Sequence, residues 1–342
     1  MPFLTNGKSP MLVRILLDTC TVRNHLHSCG KRLDLNAIRS SAEQLRFSLP
    51  GGAAFELLEQ LTEGRVSWAE WTNGSSAIDA LLDQRWPLLP TGRQLAAVSA
   101  TQNKVIDDIE SERRHLGAVW QLLRQSRSTS DLENGGRYVG VGGQLLGIKL
   151  TLPTLQTTGI AQRQSWISYI RRIQTLLPTL GITKIREEQI VALMKMDLGS
   201  CPDDPPDLAD KLDSASRMIA HLVAQAVKNK EPYDPQKEKR RGDAFDISLL
   251  FYVPLPAVIC TADERFVNRL RSTGTPHSRQ VISVDEFNQI VRTSKFETLV
   301  RDFRTPEDQS RRWNEAAYFN WISRGRPLGD DQRDWFDAEP IA

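Results

Sequence analysis

The chain has 342 residues, with 44 Lys and Arg against 42 Asp and Glu, 40% apolar residues and 7% aromatics. That length accommodates one large domain or two ordinary ones, and the composition excludes collagen, coiled coil and wholesale disorder. A net charge of +2 argues against a generally basic nucleic-acid-binding coat and leaves room only for a local patch.

No apolar stretch approaches the roughly 18–20 residues needed to span a bilayer. The N-terminus has neither the long apolar core nor the small-residue cleavage site of a signal peptide. The expectation is a cytoplasmic protein without a membrane partner. Cys20, Cys29, Cys201 and Cys260 form no C-x-x-C pair, and the five histidines show no ligand spacing, so zinc is not expected.

In chain order, residues 11–17 (M-L-V-R-I-L-L) are nearly continuous apolar, the pattern of a parallel strand buried on both faces. The strand ends in Asp18-Thr19, and a helical pattern with Val22 and Leu26 follows. A second strand fits 45–49. Pro50-Gly51-Gly52 breaks it, and 53–61 reads as a helix carrying Glu56 and Glu59. Residues 62–239 read as a helical block, with helices over 92–127, 161–177, 184–198 and 208–229 and breaks at 128–143 and 199–206. The glycine-rich run 135–143 lacks the Gly-Lys-Ser/Thr ending of a phosphate loop and reads as a flexible loop.

Strand and helix alternate again after 240. A helix is expected over 242–252, a strand over 257–261 (A-V-I-C-T), a helix over 264–271, a strand over 281–284 and a helix over 285–293. Ser283 and Glu286 have capping-box spacing for that last helix. The expected architecture is therefore α/β, a three-layer fold on a mostly parallel sheet. Its domain is split into 1–61 and 240–295 by the helical insertion 62–239, and a small C-terminal helical module covers 305–342.

The chemistry-bearing residues are carboxylates. Asp18 follows the first strand, Asp263 lies two residues past A-V-I-C-T, and Asp243 and Asp246 open the helix upstream of it. Glu56 lies one turn into the helix after the second strand. Ligands of open parallel sheets sit outside the carboxyl ends of the strands, so these groups can meet in one cleft. Carboxylates about 4 Å apart repel by on the order of 4 kcal/mol per pair at an effective dielectric near 20. Some must then be protonated, or a cation lies between them. Oxygen ligands without His or Cys select Mg²⁺ or Mn²⁺, and such ions activate water and stabilise in-line displacement at phosphorus. The alternative reading makes Asp18 and Asp243 simple helix caps.

The segments L-L-D-T-C (Asp18), A-F-E-L-L (Glu56), G-D-A-F-D-I (Asp243, Asp246) and C-T-A-D-E-R-F (Thr261, Asp263, Phe266) resemble the motifs of PIN-domain nucleases, over about 105 residues. The resemblance implies a metal-dependent nuclease, usually acting on RNA. Asp18, Glu56, Asp243 and Asp263 would form the acidic quartet around Mg²⁺ or Mn²⁺, with Asp246 as a supporting or substitute ligand. Thr261 would hydrogen-bond a carboxylate or phosphate. The partners it implies are RNA, single-stranded or structured, a protein inhibitor or antitoxin, and a second copy of the chain in a homodimer. Toxin, phage-defence and RNA-processing roles all fit. The rival readings are a catalytically silent binding or regulatory module of the same fold, and a DNA-directed nuclease.

Lys237, Lys239, Arg240 and Arg241 directly precede the Asp243 helix, and Arg265 follows Asp263. Beside a metal cleft these cations could track a phosphate backbone; otherwise they are a solvated loop. Cys20 and Cys260 read as packing residues, because His25 alone does not make a nucleophile triad. Residues 316–339 combine an aromatic-rich helix, R-G-R-P-L-G and D-W-F-D-A-E, and resemble a small uncharacterised bacterial helical module. Trp321 and Trp335 could pack across its turn, but a unit of about 25–30 residues needs another surface to dock on.

Overall fold

The computed structural model describes residues 13–41, 44–92, 95, 106–134, most of 161–175, 186–198, 212–228, 243–253 and 257–299. The glycine-rich run, the basic run at 237–241 and the C-terminal module lie outside the described residues, and so does the side chain of Asp243.

Five strands form one all-parallel sheet: β1 (Val13–Leu17), β2 (Leu45–Pro50), β3 (Leu88–Leu89), β4 (Ala257–Thr261) and β5 (Val281–Ser283). Their order is β3-β2-β1-β4-β5. The chain thus winds outward from β1 to β2 and β3, then returns to the other side of β1 for β4 and β5. The reversal falls between β1 and β4, and in open α/β sheets that switch point is where a ligand crevice opens.

β1 alternates between two buried faces. Val13, Ile15 and Leu17 join one apolar cluster, with Phe47, Val258, Cys260 and Ile282. Leu16 joins a second, with Ala257, Ile259, Val281 and Leu89. Helices cover both faces, which is why the strands carry so little polarity. Arg14 is the exception within β1. Its guanidinium is held by Asp83 at 2.9 Å and by Ser48 at 2.6 Å.

Helices α1 (Thr19–Leu26), α3 (Gly51–Thr62) and α4 (Trp68–Leu81) contribute Val22, Leu57, Leu58, Trp71 and Ile78 to the first cluster. A short helix α2 (Leu35–Arg39) precedes β2. α3 starts at Gly51 rather than at 53, so the Pro50-Gly-Gly segment opens the helix and does not separate it from the strand. A Cβ on Gly51 would stand 2.9 Å from the Leu89 carbonyl oxygen, so the close approach of β3 requires glycine there. The capping box of α4 joins Ser67 and Glu70.

The stretch 62–239 is not only helical. It supplies β3 and, besides α4, two further helices of the first core, α5 (Ile106–Gln125) and α6 (Thr129–Asn134). α6 falls inside the expected break at 128–143. Trp71 and Trp120 stack edge to face with ring centres 6.0 Å apart. The Trp71 indole donates to the Leu123 carbonyl at 2.8 Å and the Trp120 indole to Asp79 at 2.9 Å. These anchors bind α4 to α5 while pairing both of these indole N–H groups.

The opposite face is covered by α7 (Glu187–Leu198), α8 (Asp213–Lys228), α9 (Asp243–Leu250) and α10 (Glu264–Arg271), through Ile190, Met218, Leu250 and Leu270 among others. Phe245 of α9 reaches the first cluster instead. α11 (Val284–Thr293) returns to the first face after β5, with Ser283 and Glu286 forming the capping box that their spacing predicted. No helix among the described residues is long and apolar enough to cross a membrane.

Candidate active site

The carboxyl ends of β1 and β4 lie side by side, because Leu17 pairs with Cys260 in the register. The Asp18 amide donates to the Cys260 carbonyl at 3.1 Å, which carries the ladder one residue into the turn. The Asp18 side chain is 6% exposed and fully engaged. Oδ1 accepts from the Thr19 amide at 2.7 Å. Oδ2 accepts from the Thr261 hydroxyl at 2.8 Å and from the Cys20 thiol at 2.9 Å.

Thr261 is the last residue of β4 and joins the two acidic residues. Its Oγ1 accepts from the Asp263 amide at 3.1 Å while it donates to Asp18. The Asp263 carboxylate caps α10, accepting from the Phe266 amide at 3.0 Å, and the residue is exposed. Asp18 and Asp263 therefore both act as helix caps. The capping role of Asp18 is present, and it coexists with burial at the switch point.

Burial drives the Asp18 carboxyl above the usual carboxylate range. The donors Cys20, Thr261 and Thr19 pull it down, and the charge of Asp263 pushes it up. Glu56, half-buried on α3, is pushed up to about 7, first by burial and then by Asp18. The Thr19 hydroxyl, Arg23 and Arg65 oppose that shift. Arg65 is itself held by Glu63 at 2.8 Å and Glu59 at 3.7 Å. Asp18 thus feels Asp263, and Glu56 feels Asp18, so the three carboxylates share one field.

The Thr19 hydroxyl lies near enough to Glu56 to favour its ionised form, yet Oγ1 is a buried atom without a hydrogen-bond partner. Cys20 packs against the site residues themselves: its thiol bonds Asp18 and lies 3.1 Å from the Thr261 oxygen. Burial and the neighbouring Asp18 push that thiol up, so it stays protonated and donates. Among the described residues His25 makes no hydrogen bond to Cys20, so the pair offers no thiolate nucleophile.

Asp246 is half-buried on α9, the helix that packs against α3. Arg265 is exposed in the first turn of α10, beside Asp263. Among the described residues no group of three or more His, Cys, Asp or Glu side chains is arranged to hold a metal ion. The sequence reading missed Thr19 and Arg23. The spacing i, i+4 on the helix following Asp18 was the signal that could have found them.

A family model described as "Protein of unknown function (DUF2934)" matches residues 310–341, the C-terminal tenth of the chain. No match to the chain was found among curated proteins or among solved structures.

Proposed function

We propose that the protein is a metal-dependent phosphodiesterase of PIN type acting on RNA. The observation that carries this reading is the coupling of three carboxylates at the β1/β4 switch point: Asp18 buried and raised by Asp263, and Glu56 raised to about 7 with Asp18 as a cause. Capping alone accounts for Asp18 and Asp263, but it gives no reason for a third, desolvated carboxylate on α3. The resemblance of the four acidic segments to PIN-domain motifs points the same way.

The donor set suits a hard cation. Carboxylates and the Thr19 hydroxyl beside Glu56 are oxygen ligands. Among the described residues, Asp18, Glu56 and Asp263 do not form a ready metal-holding group; the nuclease reading requires them to close around Mg²⁺ or Mn²⁺ together with Asp243 or Asp246. When bound, such an ion supplies Lewis-acid activation of water and of the phosphate. Thr261 fixes Asp18 against rotation. Without an ion the Glu56 carboxyl is pushed up to about 7, so binding a cation there near neutrality would release a proton. Arg265, with Lys237, Lys239, Arg240 and Arg241, would meet the nucleic-acid backbone.

A second reading, a silent binding module on the same scaffold, is favoured by one fact: both Asp18 oxygens already have donors. The test is cleavage of labelled RNA and of single- and double-stranded DNA with Mn²⁺, Mg²⁺ or EDTA, beside Asp18→Asn and Asp263→Asn. Metal-dependent RNA cleavage lost in both variants supports the nuclease. Preference for DNA moves the substrate class. Silence on every substrate makes the binding module the better account.

A further inference from the structure

Arg23 has no role in the reading above, yet it stands beside the carboxylates. Thr19 and Arg23 are four residues apart on α1 and so share a face. α1 packs on α3, and the Thr19 side chain acts on Glu56 of that helix. Side chains of an α-helix generally lean toward its N-terminus, which in α1 is the turn that holds Asp18 and Thr19. The charge of Arg23 reaches Glu56. Arg23 is half-buried, and among the described residues its guanidinium makes no ion pair or hydrogen bond. Arg65, the other cation that Glu56 feels, is already held by Glu59 and Glu63.

A second unpaired cation lies across the site. Arg265 is exposed at the start of α10, two residues past Asp263, and is likewise without a partner among the described residues. α1 buries Val22 and Leu26 on the first face of the sheet, while α10 buries Phe266 and Leu270 on the second. The two arginines therefore flank the switch-point carboxylates from opposite faces. A guanidinium binds a phosphate with paired N–H donors, which a polynucleotide presents at regular intervals.

We propose that Arg23 binds a backbone phosphate of single-stranded RNA on the α1 side of the carboxylates, opposite Arg265. This rests on the nuclease reading of the same site. The acidic centre would repel a polyanion if it stood alone, and a cation on each side holds the strand across it.

The test uses the full chain in an Asp263→Asn background, so that binding is read without cleavage. The probe is a fluorescein-labelled single-stranded RNA of 20 nucleotides, followed by anisotropy in EDTA and in Mg²⁺ over a salt series. Arg23→Gln should weaken binding about tenfold. It should also flatten the slope of log affinity against log salt by about 0.7, the loss of one phosphate contact to a single strand. Arg23→Lys should keep the slope, because the charge remains. Arg23→Met, which preserves the apolar stem, repeats the test if Gln disturbs folding in a melting control. An unchanged affinity and slope in both neutral variants would overturn the proposal while leaving the nuclease reading intact. If the Asp263→Asn protein with Arg23 intact binds RNA in neither condition, the nuclease reading fails and the proposal falls with it.

Discussion

The hydroxyl of Thr261 donates to Oδ2 of Asp18 at 2.8 Å, across 243 positions of sequence. This one bond ties the end of β4 to the end of β1 and fixes the orientation of a buried carboxylate. Thr261→Val keeps the shape and removes the donor. Asp18 would then lose one of the bonds that favour its ionised form, and its pKa would rise further. The expected loss of stability at pH 7 is about 1–3 kcal/mol. Thr261→Ser should recover most of it, because the hydroxyl returns. Urea unfolding of the three proteins checks this, and equal midpoints for Val and Thr would show that the bond carries no energy.

Glu56 gives the stability curve a predictable sign. Its carboxyl titrates at 4.5 in the unfolded reference and at about 7 in the fold. The folded state therefore holds the proton more tightly, and the benefit is complete below pH 4.5. As pH rises from 4.5 through 7, that contribution is lost, by up to about 3 kcal/mol. Glu56→Gln removes the titrating group. It should unfold at higher urea than wild type at pH 8 and gain far less at pH 4.5. An equal gap at both pH values would mean that Glu56 is not desolvated in solution.

The sheet was legible because buried parallel strands leave nearly continuous apolar runs, as in β1 and β4, while β2 (L-R-F-S-L-P) and β5 (V-I-S) are short segments set off by the helices that follow them. β3 was not, because Leu88-Leu89 is a two-residue strand whose apolar content is indistinguishable from a loop crossing the core. α6 was hidden for a related reason: a single helical turn and a half built from T-S-D-L-E-N carries one buried residue, Leu132. Asp18 and Asp263 could be found by position, since both follow a strand. The three bonds that hold Asp18 could not, because Cys20 and Thr261 meet only after the β1/β4 register is set. A cysteine that reads as core from composition donates to a carboxylate in the fold.

Gly51 sets the distance between α3 and β3. Its hypothetical Cβ would lie 2.9 Å from a backbone oxygen, which cannot swing away as a side chain does. Gly51→Ala must displace the first turn of α3, five residues before Glu56. Overpacking of this kind costs about 1–3 kcal/mol. Alanine's better helix propensity offsets at most about 1 kcal/mol of that. Thermal melting should show a clear decrease for Gly51→Ala, against a small change for Gly64→Ala. There the glycine has φ +71° but no atom within 4 Å, so only backbone strain remains.

A divalent ion should stabilise the fold more at high pH than at low pH. At pH 8, above the Glu56 value of about 7, the charge of Asp263 still opposes that of Asp18 and the charge of Asp18 opposes that of Glu56, and a cation relieves that repulsion. At pH 5 a proton already neutralises Glu56, whose pKa is about 7, so the ion has less to gain. Ligand binding to the native state alone stabilises it by RT ln(1 + [L]/Kd), about 1.4 kcal/mol at a tenfold excess over Kd. Melting of the full chain in millimolar MnCl₂ should therefore rise at pH 8, rise less at pH 5, and stay flat in NaCl of matched ionic strength. Asp263→Asn should shrink the pH 8 increment, because it removes one of the proposed ligands at the exposed side of the site while its amide and the Thr261 bond to Asp18 persist. An increment that NaCl reproduces is charge screening, and it would remove the metal from the account of these carboxylates. One that survives in Asp263→Asn at full size would place the ion elsewhere on the chain.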